Sequence, residues 1–320
     1  MSFLKKILII FFFLMPISNA FAEFTFVQTK NVALDTPGIR GINFKPDGTR
    51  MYITNRYDDQ KAYLIEYSLS KPFDISTATI SFTGGAPKGT ALACDDAGDD
   101  DHMELPHAIE FKPDGTRMFV TTNKDFGSGK PGVAVFQFKL TTPWDSTTLV
   151  CEKIYEVAVN GSGAKEDNVR TLDFNPDGTR MFVGGSRRDK IRQYDLATPF
   201  DLRSGVTPGG ISDALDSFED DMRDIQFNPD GTQMFLTGSE RNSGLMQKFT
   251  LSTPYDITTL SSTTETFSLI SPSDSNLVNN LRGFIFAVNF TKIFVTSDDG
   301  DDDDAGNDNQ IHEFDIDCAG

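Results

Sequence analysis

The sequence predicts an all-β fold, a five-bladed β-propeller of four-stranded antiparallel blades. Three observations carry this expectation: one motif recurs five times in 320 residues, its period is about 60 residues, and helical periodicity is nowhere sustained. The copies are GINFKPDGTRMYIT from Gly41, AIEFKPDGTRMFVT from Ala108, TLDFNPDGTRMFVG from Thr171, DIQFNPDGTQMFLT from Asp224 and a worn GFIFAVNFTKIFVT from Gly283. Their anchors, Phe44, Phe111, Phe174, Phe227 and Phe286, lie 53 to 67 residues apart, so five units fill a single domain over residues 23–320.

The chain opens with MSFLKKILIIFFFLMPISNAFA, in which Lys5 and Lys6 precede an apolar run from Ile7 to Met15, then Pro16 and Ala20-Phe21-Ala22. This is the pattern of a secretory signal peptide over residues 1–22, and its apolar core is shorter than the roughly 20 residues that span a bilayer. A strand over 24–31 follows. In each unit a short strand ends at the anchor Phe, and Pro-Asp-Gly then turns the chain, since Pro fixes φ and Gly accepts positive φ. An apolar-aromatic second strand, a variable loop and a third strand come next, the third reading LIEYSLSKPFD, VAVFQFKLTTPWD, IRQYDLATPFD, LMQKFTLSTPYD and IHEFDID. Its Pro-aromatic-Asp ending is a turn in which Asp caps its own backbone while the ring covers a sheet edge. A fourth strand shows as EKIYEVAV and TETFSLI. Unit five stops after its third strand, so strand 24–31 is expected to complete the last blade and close the ring without a free edge.

With FxPDGxxMYV and the trailing YxLSTPxD in place, the chain resembles the bacterial exported β-propeller proteins built from WD40-like or YVTN-type repeats, across all five units. The resemblance implies the fold and a binding or surface role. Unit five departs from the pattern, lacking both Pro-Asp-Gly and a downstream Pro-aromatic-Asp.

A formal charge of −18 argues against nucleic acid, whose phosphates require basic stripes. No later apolar run is long enough to span a membrane, so an exported, monomeric chain is expected, periplasmic or extracellular, with a protein, glycan or cell surface as partner. The three cysteines, Cys94, Cys151 and Cys318, allow at most one internal disulfide, and spacing selects none of the three pairings.

Sequence irregularity gathers in the interblade links and in the loops between second and third strands, which share one face of a propeller; function is expected there. Two acidic clusters fall on it, with Asp99, Asp100 and Asp101 in one link and Asp301, Asp302, Asp303 and Asp304 in the last loop. Flexible carboxylates suit calcium, the one candidate cofactor, although no complete calcium-loop motif is present. Four residues before each anchor stand Arg40, His107, Arg170, Arg223 and Arg282, a set placed to ring the channel mouth and receive a carboxylate, sulfate or phosphate, or else to brace neighbouring blades. His102, His107 and His312 fall toward the same face without a zinc spacing.

No GxSxG, HExxH or Walker motif occurs. One position before the anchors, Glu110 and Asp173 are acidic where other units have Asn43, Gln226 and Ile285, and no third acid is expected beside them. The leading expectation is a non-catalytic exported module that binds through its acidic loop face, with calcium as a candidate aid. The alternative is a channel-centred hydrolase of a glycoside or lactone using Glu110 and Asp173.

Overall fold

The computed structural model describes residues 21–32, 38–58, 61–81, 89–94, 103, 105–122, 133–157, 169–185, 189–218, 221–238, 244–269, 280–298 and 309–318. They form five antiparallel four-stranded blades in a ring, as the repeats predict. Strand β1 is Phe21–Asn31. Blade one holds β2 (Ile39–Phe44), β3 (Arg50–Asp58), β4 (Lys61–Leu69) and β5 (Ala78–Ile80), with the short β6 (Thr90–Ala91) also pairing to β4. Blade two runs through β7 (Pro106–Phe111), β8 (Arg117–Thr122), β9 (Ala134–Leu140) and β10 (Leu149–Glu156). Blade three comprises β11 (Val169–Phe174), β12 (Arg180–Gly185), β13 (Ile191–Leu196) and β14 (Val206–Ile211). Blade four comprises β15 (Met222–Phe227), β16 (Gln233–Gly238), β17 (Leu245–Leu251) and β18 (Leu260–Ser268). Blade five adds β19 (Leu281–Ala287), β20 (Lys292–Ser297) and β21 (Gln310–Cys318).

The ring closes as expected. Strand β1 pairs antiparallel with β21, Phe24 opposite Ile316 and Phe26 opposite Phe314, giving the order β1-β21-β20-β19. Gln28 fastens this mixed blade to blade one, donating to Glu313 Oε2 at 2.6 Å and to Asp74 Oδ1 at 3.1 Å. The innermost strands touch in a complete circuit, β2 to β7 to β11 to β15 to β19 and back to β2.

Each anchor Phe buries its ring against the preceding blade. Phe44 meets Phe294, Phe111 meets Tyr52, Phe174 meets Phe119, Phe227 meets Phe182 and Phe286 meets Phe235, with centroids 4.4 to 4.7 Å apart. Such pairs add roughly 0.5–1.5 kcal/mol each beyond the area they bury. The two turn motifs of a unit are one device. In blade three Gly178, at φ +70°, lies beneath the Phe200 ring, and a Cβ there would stand 2.0 Å from Phe200 Cδ2. The motif's Arg reaches across blades: Arg50 donates to Trp144 O, Arg117 to Phe200 O and Arg180 to Tyr255 O. Unit five replaces the device with Val288, Asn289 and Phe290, all at positive φ, and Phe290 stacks on Phe286 at 4.3 Å.

Cys94, beside β6, forms a disulfide with Cys151 on β10, tying blade one to blade two. Among the described residues no helix is long and apolar enough to cross a membrane.

Candidate functional site at the central channel

The five inner strands share an irregularity that positions the site. Each carries a β-bulge at the residues four before the anchor, where pairing jumps, for example from Val169↔Gly185 to Thr171↔Gly184 past Arg170. The same jump passes Arg223 and Arg282, and a longer one spans Arg40 with Gly41 and His107 with Ala108. A bulge leaves its extra residue unpaired and re-aims the side chain. The five side chains converge: burial, then the charges of Arg170, Arg40, Arg223 and Arg282, hold His107 well below the usual imidazole range. Arg223 is pushed down to about 9, first by burial and then by Arg282 and Arg170, against the pull of Asp221.

Two carboxylates brace the ring, each bridging two blades. Asp298 accepts from Arg40 at 2.6 Å and Arg282 at 2.7 Å, while Asp221 pairs with Arg170 and with Arg223 at 2.5 Å. The arginines thus pair across blades, as the bracing alternative has it. The sequence places Asp221 and Asp298 among the acids of the loop face, outside the aligned motif, but does not pair them with these arginines.

One step further along the inner strands the side chains become small. A Cβ on Gly41 would sit 2.4 Å from His107 O, so β2 and β7 approach too closely there for a larger residue. The equivalent residues are Gly41, Ala108, Thr171, Asp224 and Gly283, and Asp224 breaks the series. Its Oδ1 accepts from Ile225 N at 3.0 Å and its Oδ2 from Phe284 N of the next blade at 3.1 Å. It is a third channel acid, which the same alignment could have picked out.

In four of the five blades the residue before the anchor joins neighbouring inner strands, Ile285 being the apolar exception. Asn43 Nδ2 donates to Ile109 O at 3.1 Å and Glu110 Oε2 at 3.2 Å. Gln226 Oε1 accepts from Phe286 N at 2.7 Å, and Asp173 Oδ2 accepts from Phe227 N at 2.6 Å in the equivalent place. Asp173 Oδ1 also takes Phe174 N at 2.7 Å. Burial pushes Asp173 up to about 7 despite these two N–H donors. Glu110 is raised well above the carboxylate range by burial and then by Asp173 and Asp224, and Asp224 is raised by burial and by Asp173. Glu110 is partly exposed; Asp173 and Asp224 are buried.

The remaining predicted residues do not join this site. His312 is held on β21 between Thr29 Oγ1 and Ser297 Oγ, each at 2.9 Å, and His102 lies outside the described residues. Asp99, Asp100, Asp101, Asp301, Asp302, Asp303 and Asp304 also lie outside them. Among the described residues no group of three or more His, Cys, Asp or Glu is placed to hold a metal ion.

No protein-family model matches this sequence, and no curated protein matches it. Many solved structures share the architecture. The chain is similar to the calcium-binding protein regucalcin from Agrobacterium tumefaciens at 13% identity, covering 92% of this chain and 96% of that one with a TM-score of 0.50. It is also similar to a luciferin-regenerating enzyme at 9% identity, covering 91% and 96% with a TM-score of 0.48. A periplasmic gluconolactonase from Pseudomonas aeruginosa gives 13% identity, 76% and 62% coverage and a TM-score of 0.44. At these identities the likeness establishes the fold class. The expectation of a non-catalytic module working through its acidic loop face is corrected: the unexplained chemistry among the described residues lies in the channel, where Glu110, Asp173 and Asp224 carry raised carboxyls.

Proposed function

We propose that this chain is a hydrolase of lactone or glycoside C–O bonds, with its chemistry on the channel wall at Glu110 and Asp173. The observation that carries the reading is a departure from repetition. Gln226 makes to Phe286 N, as a neutral amide, the bond that Asp173 makes to Phe227 N as an acid. The stitch requires no charge, yet the buried Asp173 and Asp224 and the partly exposed Glu110 bring three carboxyl groups to the channel wall with no cation paired to them among the described residues. Perturbed acids of this kind concentrate at functional sites.

Glu110, whose carboxyl is raised well above the usual range by burial and the neighbouring acids, is the proton donor to the leaving oxygen. Asp173, close to half-ionised at neutral pH and fixed by two N–H bonds, takes a proton from water through a lone pair those bonds leave open. The water oxygen bonds to carbon as the ring or glycosidic C–O bond breaks, and no step runs through a metal. We place the chain outside the reducing cytoplasm, because residues 1–22 read as a leader and the Cys94–Cys151 disulfide suits an oxidising compartment.

The test is a panel of aldonolactones and nitrophenyl glycosides. Glu110→Gln and Asp173→Asn are each expected to lower kcat by about 100-fold or more, the usual share of one general acid or base, with circular dichroism unchanged. Turnover of no panel member, or full activity in both variants, overturns the reading.

A further inference from the structure

We propose that Asn43 is the positioning residue of Glu110: reaching across from blade one, its amide holds the carboxyl and decides which of the two carboxyl oxygens carries the proton. Its part in turnover rests on the hydrolase reading; the hold itself does not. At this level of the channel the side chain before the anchor reaches forward to the next blade, Asn43 to Ile109 O, Asp173 to Phe227 N and Gln226 to Phe286 N. Glu110 is the polar exception. The donor it would need, Phe174 N, is occupied by Asp173 Oδ1 at 2.7 Å. Among the described residues the one side chain that hydrogen-bonds Glu110 lies in the preceding blade, Asn43 at 3.2 Å. Glu110 is thereby released from bracing the ring and is partly exposed, while Asn43 is buried at 5% exposure. One can meet a ligand, and the other can only hold.

Hydrogen-bonding valence fixes the orientation. The Asn43 nitrogen Nδ2 donates to Ile109 O at 3.1 Å as well as to Glu110 Oε2 at 3.2 Å. A backbone carbonyl only accepts, so the atom of the amide that meets it is the nitrogen, and both amide hydrogens are spent on β7. Oε2 then accepts, which leaves Oε1 as the oxygen that carries the proton. Ile109 and Glu110 are consecutive on one strand, so a single amide grips the backbone and the side chain of the same segment.

The surroundings set the direction of the effect. Burial, then Asp173 from β11 and Asp224 from β15, raise Glu110, whereas the Asn43 amide and the Phe111 N–H work the other way, since each favours the carboxylate. β8 sets Phe119 opposite Glu110, and Ile285 fills this level of β19, so neither strand adds a charge there. An acid raised too far releases its proton slowly, and a neutral donor brings it back toward the working range without adding a cation that would ionise it outright.

The full chain, carrying carbon-13 at its glutamate carboxyls, is titrated by NMR, with Glu110→Gln assigning the Glu110 signal. Asn43→Leu keeps the size of the side chain and removes the donor. The Glu110 midpoint is expected to rise by about 1–2 pH units, the share of one hydrogen bond to a charged group. Gln226→Leu deletes the equivalent stitch of blade four and is expected to leave that midpoint within about 0.3 unit, as for a site with no shared partner. On a turned-over lactone or glycoside, Asn43→Leu is expected to lower kcat about tenfold with KM within about twofold, because the acid is misplaced and not the substrate. Activity of a general acid is lost as pH rises through its midpoint, so the high-pH limb of kcat/KM moves upward with the Glu110 signal. Should Asn43→Leu fail to fold, the parent chain answers alone: the Asn43 Nδ2 protons are expected to titrate with the Glu110 midpoint. An unmoved midpoint in folded Asn43→Leu overturns the proposal, as do Asn43 amide signals indifferent to the Glu110 titration. An equal shift in Gln226→Leu also overturns it, since the cause would then be a loosened ring. A shifted midpoint in a chain that turns over no panel member removes the hydrolase reading alone, and turnover with an unmoved midpoint removes the role of Asn43 alone.

Discussion

Replacing Asp173 by Asn separates the chemistry of that site from its stitching. The folded protein binds the Asp173 proton more tightly than the unfolded chain does, since burial raises the carboxyl from 3.8 to about 7. Stability contributed by that proton is full below pH 3.8 and is lost as pH rises through 7. A shift of about three units corresponds to about 4 kcal/mol of destabilisation at pH 8.5, at about 1.4 kcal/mol per unit. Asn carries no charge and escapes this penalty, but its amide offers one acceptor oxygen where the carboxylate has two, so Phe174 N or Phe227 N loses its partner at a cost of about 1–3 kcal/mol. The variant should therefore be more stable than the parent by about 1–3 kcal/mol at pH 8.5 and less stable by a similar amount at pH 3.5. Urea unfolding at the two pH values measures both differences. An identical change in stability at both would refute the raised carboxyl and, with it, the electrostatic account of the channel.

Two further outcomes test the frame. Gly178→Ala combines a left-handed backbone with a Cβ driven into Phe200, and a loss of about 2–4 kcal/mol in urea unfolding is expected, against near neutrality at an open loop glycine. Replacing Cys94 and Cys151 by serine opens a loop of 57 residues, for which chain entropy gives about 4 kcal/mol; a Tm unchanged in the double variant would mean the bridge adds nothing to stability.

The blades were legible because each turn carries its own local chemistry. Pro46-Asp47-Gly48 announces a hairpin without reference to anything distant, and its recurrence supplied the period. What could not be read was how local motifs meet. Nothing in the sequence says that Gly178 lies under Phe200, or that the worn turn of unit five would stack Phe290 in the place such a ring fills elsewhere. Glu110 and Asp173 stood out because a repeat makes its exceptions visible, and Asp224 was equally visible among Gly41, Ala108, Thr171 and Gly283. The pairing of Asp221 and Asp298 was not, since it depends on two arginines from different blades converging on each. The link from Cys94 to Cys151 likewise needed the β6 and β10 placements before it could be chosen over the other pairings.

Closing the ring with β1 also sets an order of events during synthesis. Gln28 and its partner Glu313 are separated by 285 positions, so β1 is made long before the strand it pairs with. At roughly 5–20 residues per second that interval is about 15–60 s. During it the first strand waits with its backbone donors and acceptors unpaired while blades one to four assemble, the condition in which a strand edge pairs with the wrong chain. Lys30 on that strand, and the alternation of exposed with partly buried residues from Thr25 onward, keep the waiting edge wet. The last blade acts as a timer: the ring becomes a single cooperative body only when β1 and β21 are both free to meet.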